Sequence, residues 1–398
     1  MASCGRTAGR AGIGLLLALC APIVPGSLTG EAAAMSADQV SLPTMTEIAF
    51  AAIPGWQEDD LGKALSAFTR FCVPPFRFLQ AEPFGHTEQE AADLCRAAKA
   101  IPASDTDAAR SFFETRFTPF RIEASGFVTG YFEPELPASR VQTPDYSAPL
   151  LKAPAGLETI TEDNRPEGWP AELSHGRRTA KGLVPLPDRG AIMDGALEDD
   201  HLELVWLADP VDAYFVHVQG SARLRLTDGS VMRIGYAGKA GYPYTSIARV
   251  LVERGEGTPE ELTMAGLRKW LDDNSDRRDA LFRENRSFIF FREVTPENPE
   301  DGPVGAANLP LVAGRSLAVD PGHIPYGLPV FVAAGIADPD RTGSQFQRLL
   351  IADDTGSAIR GPARGDIFTG SGERAGKIAG EIRHKADMIL LLPGSKAR

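Results

Sequence analysis

"IADDTGSAIRGPARGDIFTGSGERAGKIAG", Ile351 to Gly380, sets Asp353, Asp354 and Asp366 among glycines. Two chemistries fit such a stretch. In the first, "RLLIAD" and "DIF" are strands, and the glycine-bearing loop between them brings Asp354 and Asp366 together. Carboxylates held close cannot both ionise easily, so one gains a raised pKa and can serve as a general acid near neutral pH. Asp320, in "SLAVDPGHIPYG", is a third acid at a strand end. The bland alternative is turn chemistry, in which an Asp beside a Gly bonds its own backbone.

The second chemistry is a phosphate cradle. "GDIFTGSGERAGKIAGEIRHKADMILLLP" reads as strand, Gly370-x-Gly372-x-x-x-Gly376, helix, strand. A helix N-terminus after glycines does attract phosphate. The dinucleotide pattern also needs an acid closing the second strand, and "MILLLP" runs into Pro393 and Gly394 without one. A single unit of this kind is visible and no GxxxxGK[ST] occurs, so no nucleotide cofactor is expected. Other catalytic patterns are weaker. GxSxG and HExxH are absent, and no cysteine sits in a CxxC, so no metal is expected either. In "HVQGS", period-two alternation puts His217, Gln219 and Ser221 along one strand face. That reads as the polar wall of a cleft or a solvated face rather than a nucleophile–base pair.

The elements that must position these residues follow from periodicity. Met45 to about Phe117 reads as helical. "LGKALSAFTRFCV" puts Leu61, Leu65, Phe68 and Cys72 on one face, and Thr87 with Glu90 has capping-box spacing. "FRIEASGFVTGYFEPEL" alternates towards strand, with Pro134 and Pro137 ending it. Tyr146 to Pro187 reads as surface loop. "LELVWLADPVDAYFVHVQGSARLRLTDGSVMRIGYAG" reads as three or four strands, with Asp228-Gly229 as a hairpin turn. "TSIARVLVERG" and "TMAGLRKWLDD" read as helices, and "NRSFIFFRE", "RLLIADD", "GDIF" and "DMILLLP" as strands. Pro-rich stretches near 134–187 and 293–310 are candidate crossings between domains.

The whole chain agrees with a β-rich protein. It has 398 residues, 43% hydrophobic, with Gly 40 and Pro 31. Its net charge of −12 argues against nucleic acid as a partner. Arg6 and Arg10 precede the apolar run Gly12 to Val24, and "EAAAMS" offers a cleavage site after Ala34. The run is too short to span a bilayer, so residues 1–34 read as a secretory signal peptide. Retention as an anchor and lipidation at Cys20 are the alternatives, although Leu19 stands where a lipid site wants a small residue. For Cys72 and Cys95, a disulfide and two buried thiols fit equally.

"VTGYFEPEL", "VHVQGSARLRLTDG", "YAGKAGYPYTSIARVL", "NRSFIFF", "SLAVDPGHIPYGLPVFV" and "ADDTGSAIRGPARGDIFTGSGERAG" fall in one order. In that order they resemble the membrane-bound lytic murein transglycosylase A family with its C-terminal three-aspartate domain. The resemblance spans roughly residues 120 to 395. It implies a mainly β fold with N-terminal helices: a double-psi β-barrel domain, an inserted second small β-barrel domain, and a groove between them. The domains expected are 1–34 signal, 35–136 helical segment and first part of the barrel, 137–300 insert, and 301–398 the three-aspartate part.

The resemblance also implies chemistry. A lytic transglycosylase cleaves the β-1,4 bond between N-acetylmuramic acid and N-acetylglucosamine in peptidoglycan without adding water, leaving a 1,6-anhydro ring. Asp366 matches the catalytic aspartate, acting as acid and then base. Asp354 and Asp320 match its supporting carboxylates. Thr129, Tyr131, Gln219 and Ser221 match positions that bind the sugar. The expected partner is a peptidoglycan glycan strand, met by a monomer in the periplasm, with outer-membrane association through Cys20 as the family's habit. No cofactor is implied. Asp353 departs from the pattern, which has Gln or an apolar residue there. An inverting glycoside hydrolase on the same barrel and a non-catalytic peptidoglycan-binding protein are the alternatives.

Overall fold

The computed structural model describes residues 41–295, 298 and 301–394. The signal reading and Cys20 lie outside the described residues. In chain order the first elements are β1 (Met45–Glu47), α1 (Leu61–Phe68), α2 (Arg77–Gln80), α3 (Glu88–Lys99) and α4 (Thr106–Arg116). They lead into β2 (Phe117–Ile122) and β3 (Gly126–Glu133). The middle of the chain carries β4 (Glu135–Ser139), β5 (Ala148–Leu151), β6 (Leu157–Thr159), β7 (His175–Thr179) and β8 (Gly182–Val184). It continues with α5 (Arg189–Met193), β9 (Glu203–Leu207), α6 (Pro210–Gln219), β10 (Ser221–Leu226) and β11 (Val231–Lys239). There follow α7 (Ile247–Glu253), α8 (Met264–Asp273), α9 (Ser275–Glu284) and β12 (Ile289–Val294). The last part holds β13 (Ser316–Ala318), β14 (Pro329–Ala337), β15 (Gln345–Asp354), β16 (Arg364–Ser371), α10 (Gly372–Glu381) and β17 (Arg383–Pro393).

Two larger sheets organise these strands. The first runs β1-β2-β17-β14-β15-β13-β16-β3, and β17 also pairs with β3. That extra pairing, Arg383 to Ala386 against Thr129 to Gly126, closes six strands into a ring. The second runs β12-β11-β10-β4-β9-β5. A bridge between Lys152, just past β5, and Phe291 of β12 brings its two edges together. The chain passes from the first sheet to the second between β3 and β4, and returns after β12.

The N-terminal helices pack on the first sheet as their apolar stripes require. Leu61, Leu65 and Phe68 of α1 are buried in one cluster with Phe112, Phe113, Phe331 and Leu349. The Thr87–Glu90 capping box opens α3. Cys72 and Cys95 form a disulfide with Cα atoms 5.4 Å apart, which ties the chain after α1 to α3.

Four expectations are corrected. Met45–Glu47 is a strand, paired with β2, not helix. Pro137 does not end a strand but lies inside β4, where β9 reaches only Ala138 and Ser139, so no β9 partner needs an N–H from the proline. Tyr146 to Pro187 is not loop throughout. It contains β5 and the three-stranded sheet β6-β7-β8. Finally, residues 210–219 are a helix, so His217, Gln219 and Ser221 do not share a strand face. Asp209 caps α6 by accepting from the Val211 N–H, Pro210 stands in its first turn, and Gly220 ends it at φ 82°. Those three end signals outweigh the β-branched and aromatic residues between them.

Candidate active site

The short strand β13 lies between β15 and β16. It pairs parallel with β15, Ala318 opposite Asp354, and antiparallel with β16, Ala318 opposite Asp366. Asp354 and Asp366 therefore flank one residue from either side. At ordinary strand spacing their Cα atoms lie about 10 Å apart. Asp320 follows two residues past Ala318. The glycine-bearing loop between β15 and β16 folds over it: the Gly361 N–H donates to Asp320 Oδ2 at 2.8 Å, and Arg360 lies 3.7 Å from Oδ1. The structure thus brings together the three aspartates expected from the sequence.

Next to β16, β3 runs parallel, with Thr129 opposite Asp366 and Tyr131 opposite Phe368. Thr129 Oγ1 donates to Asp366 Oδ1 at 2.5 Å, and Arg364 donates to the same hydroxyl at 2.7 Å. Tyr131 donates to Asp354 Oδ2 at 2.7 Å, and the Ala306 N–H donates to Oδ1 at 2.8 Å. Both Asp354 oxygens are thus occupied, and Asp354 and Asp366 alike keep partial exposure. Gln219, the last residue of α6, accepts from the Phe132 N–H at 3.1 Å, fastening the second sheet to β3. Ser221 is buried at the start of β10. His217 is a core histidine. Burial holds it well below its ordinary pKa, and its Nδ1 accepts from the Ile289 N–H at 3.1 Å.

Electrostatics separate the acids. Burial pushes Asp366 up to about 6, against the Thr129 hydrogen bond and the Arg364 charge, with a further push from Asp354. Burial also raises Asp354, opposed by the Tyr131 and backbone hydrogen bonds. Burial raises Tyr131 well above its ordinary value, which keeps its proton available to Asp354. Asp353 now has a physical account. Leu317 faces Ala352 and Ala318 faces Asp354, so Asp353 is the extra residue of a β-bulge. Its carboxyl turns inward, 3% exposed, and Ser316 Oγ donates to it at 2.5 Å. Burial, with Asp354 next door, raises it well above the usual carboxylate range. Ionisation is therefore disfavoured at this buried carboxyl.

Sequence reasoning passed over Arg364, two residues before Asp366, and Ala306, whose backbone carries no sequence signal. It also passed over Ser316. The phosphate-cradle reading of α10 finds no support: at its N-terminus Ser371 donates to the Glu133 carboxylate at 2.7 Å, so the protein's own acid lies there. A hollow of about 240 Å³, lined by Ile367, Thr369, Arg374 and Ile378 among others, touches β16 and α10 but not Asp320, Asp353, Asp354 or Asp366.

Residues 127–292 match the MltA specific insert domain, and residues 315–392 match the 3D domain. Membrane-bound lytic murein transglycosylase A of Escherichia coli (strain K12) is 32% identical over 262 residues, 64% of this chain and 62% of that protein. The matched stretch is therefore less than two thirds of that relative's length. The crystal structure of MltA from Neisseria gonorrhoeae is 29% identical, with a TM-score of 0.71 over 90% of this chain and 97% of that one. The crystal structure of a membrane-bound lytic murein transglycosylase from Agrobacterium tumefaciens is 42% identical, with a TM-score of 0.79. It covers 88% of this chain and 98% of that one. A likeness of this depth, spanning nearly the whole of both chains and both sheets, shows that the chain belongs to the membrane-bound lytic murein transglycosylase A family.

Proposed function

We propose that this protein is a lytic transglycosylase that cleaves the β-1,4 bond between N-acetylmuramic acid and N-acetylglucosamine in peptidoglycan. The observation that carries the reading is Asp366: a carboxyl with a pKa near 6, partly open to solvent, beside an acid whose two oxygens are already taken. A single proton carrier suits a reaction that adds no water. Protonated Asp366 donates to the glycosidic oxygen, which leaves with the N-acetylglucosamine. The muramoyl ring becomes oxocarbenium-like. The Asp366 carboxylate then takes the proton of that ring's own C6 hydroxyl as its oxygen bonds to C1, closing the 1,6-anhydro ring. An inverting hydrolase would need a second carboxylate free to activate water. The hydrogen bonds on Asp354 speak against that role.

In this reading Asp354 and Asp320 hold the loops around Asp366. Thr129, Tyr131, Gln219 and Ser221 bind sugar hydroxyls and acetamido groups. We read the closed six-strand ring as a double-psi barrel and residues 137–300 as the domain inserted into it. The glycan strand lies in a groove between the two. The family name and the signal-like N-terminus favour export to the periplasm. The test is Asp366→Asn. Release of muropeptides from isolated murein is expected to fall by about a hundredfold or more while murein binding persists. Near-normal release by this variant would overturn the assignment.

A further inference from the structure

Lys239 ends β11 and, among the described residues, has no charged partner. The pairing of β11 with β12 slips between Tyr236 and Gly238, a bulge of the kind that re-aims the next side chain. Gly238 stands at φ +154°, and a Cβ there would fall 2.3 Å from Leu157 Cδ2, so only glycine fits the bend. Beyond it, half-buried Lys239 reaches across to the loop between β15 and β16. There its Nζ meets Ser357 Oγ at 3.4 Å, three residues past Asp354.

The charges facing this lysine do not neutralise it. Arg360, on the same loop, is a second cation near enough to push the Lys239 pKa down, after burial. His175, at the start of β7, is held neutral at about 4 by burial and by Lys239 itself. Asp320, the carboxylate that Arg360 faces, is engaged by that arginine and by the Gly361 N–H. Among the described residues no carboxylate pairs with Lys239. Withdrawing an ammonium from water without a counter-charge is unfavourable, and an arriving anion removes that cost.

We propose that Lys239, with Arg360 beside it, forms an anion subsite that binds a carboxylate of the glycan substrate next to the aspartate loop. This rests on the peptidoglycan reading above. Peptidoglycan offers such a carboxylate from two sources: the lactyl group of N-acetylmuramic acid where the peptide has been removed, or the stem peptide where it remains. An uncharged N-acetylglucosamine chain offers neither.

The test compares kcat/KM on murein strands bearing peptides and on strands stripped of peptide. Each is used as prepared and after coupling to ammonia, which converts carboxylates to amides. For the wild-type enzyme, amidation is expected to lower kcat/KM about tenfold, the scale of one charge-assisted hydrogen bond, mostly through KM. In Lys239→Met the ratio between native and amidated strands should fall towards one, and Lys239→Arg should restore much of it. A ratio confined to stripped strands assigns the lactyl carboxylate. One confined to peptide-bearing strands assigns the stem peptide. A wild-type ratio near one, or a Lys239→Met ratio equal to that of wild type, would overturn the subsite while leaving the transglycosylase reading intact. A wild-type enzyme that released no anhydromuramoyl ends from any strand would instead remove the reading beneath it.

Discussion

Asp366 owes its acid strength to its neighbours. The same side chain in water would be ionised at neutral pH and could donate nothing. Burial lifts it to about 6, so the protonated acid is plentiful at mildly acidic pH and scarce above neutrality. Activity in kcat/KM is therefore expected to fall as pH rises through about 6, since the first step needs the proton. Thr129 tunes that midpoint. Its hydroxyl favours the ionised form, so Thr129→Val should move the basic limb upward, and a pH–rate profile reads this directly. A downward or absent shift would show that Thr129 does not hold the carboxylate in solution. The sequence made the three aspartates visible as candidates, because carboxylates beside glycines and strand ends can be brought together. It did not separate turn chemistry from catalysis. The differences lie in the Tyr131, Thr129 and Ala306 hydrogen bonds, and their partners stand far apart in the chain.

At the scale of elements, the segment before Ser221 misled the periodicity. Its apolar residues alternate like a strand, yet its ends are those of a helix. Asp209, Pro210 and Gly220 were each legible as cap residues, and giving ends more weight than middles would have found α6. The helix matters because its last residue, Gln219, holds Phe132 beside Thr129 and Tyr131. Gly220→Val forces a β-branched residue into φ 82°, and should cost about 1–2 kcal/mol in urea unfolding. A variant as stable as wild type would mean that the turn relaxes. Pro137 and the strands β5 to β8 were hidden for another reason. Proline and glycine punctuate a sequence locally, but which edge of a strand goes unpaired is decided by partners far away.

Across the whole molecule, a buried ion cluster fastens the two sheets where the chain crosses between them. Glu133, the last residue of β3 and fully buried, lies 3.2 Å from Arg233 of β11 and 3.7 Å from Arg223 of β10. Ser371, at the end of β16, donates to it as well. Breaking such a pair leaves a buried charge alone, so Glu133→Ala should lower the unfolding free energy by about 3–5 kcal/mol. A loss within error would show that water already reaches the cluster. The order of helices first and β-rich parts after was readable in the sequence. Closure of the ring was not, because it depends on β17 meeting β14 and β3 at once. The central claim concerns the bond that this assembly breaks and how. Mass analysis of the muropeptides released from isolated murein by the wild-type protein tests it most directly. The account expects muramoyl ends lighter by one water than hydrolysis products, carrying the 1,6-anhydro ring. Hydrated reducing ends as the main product would contradict it.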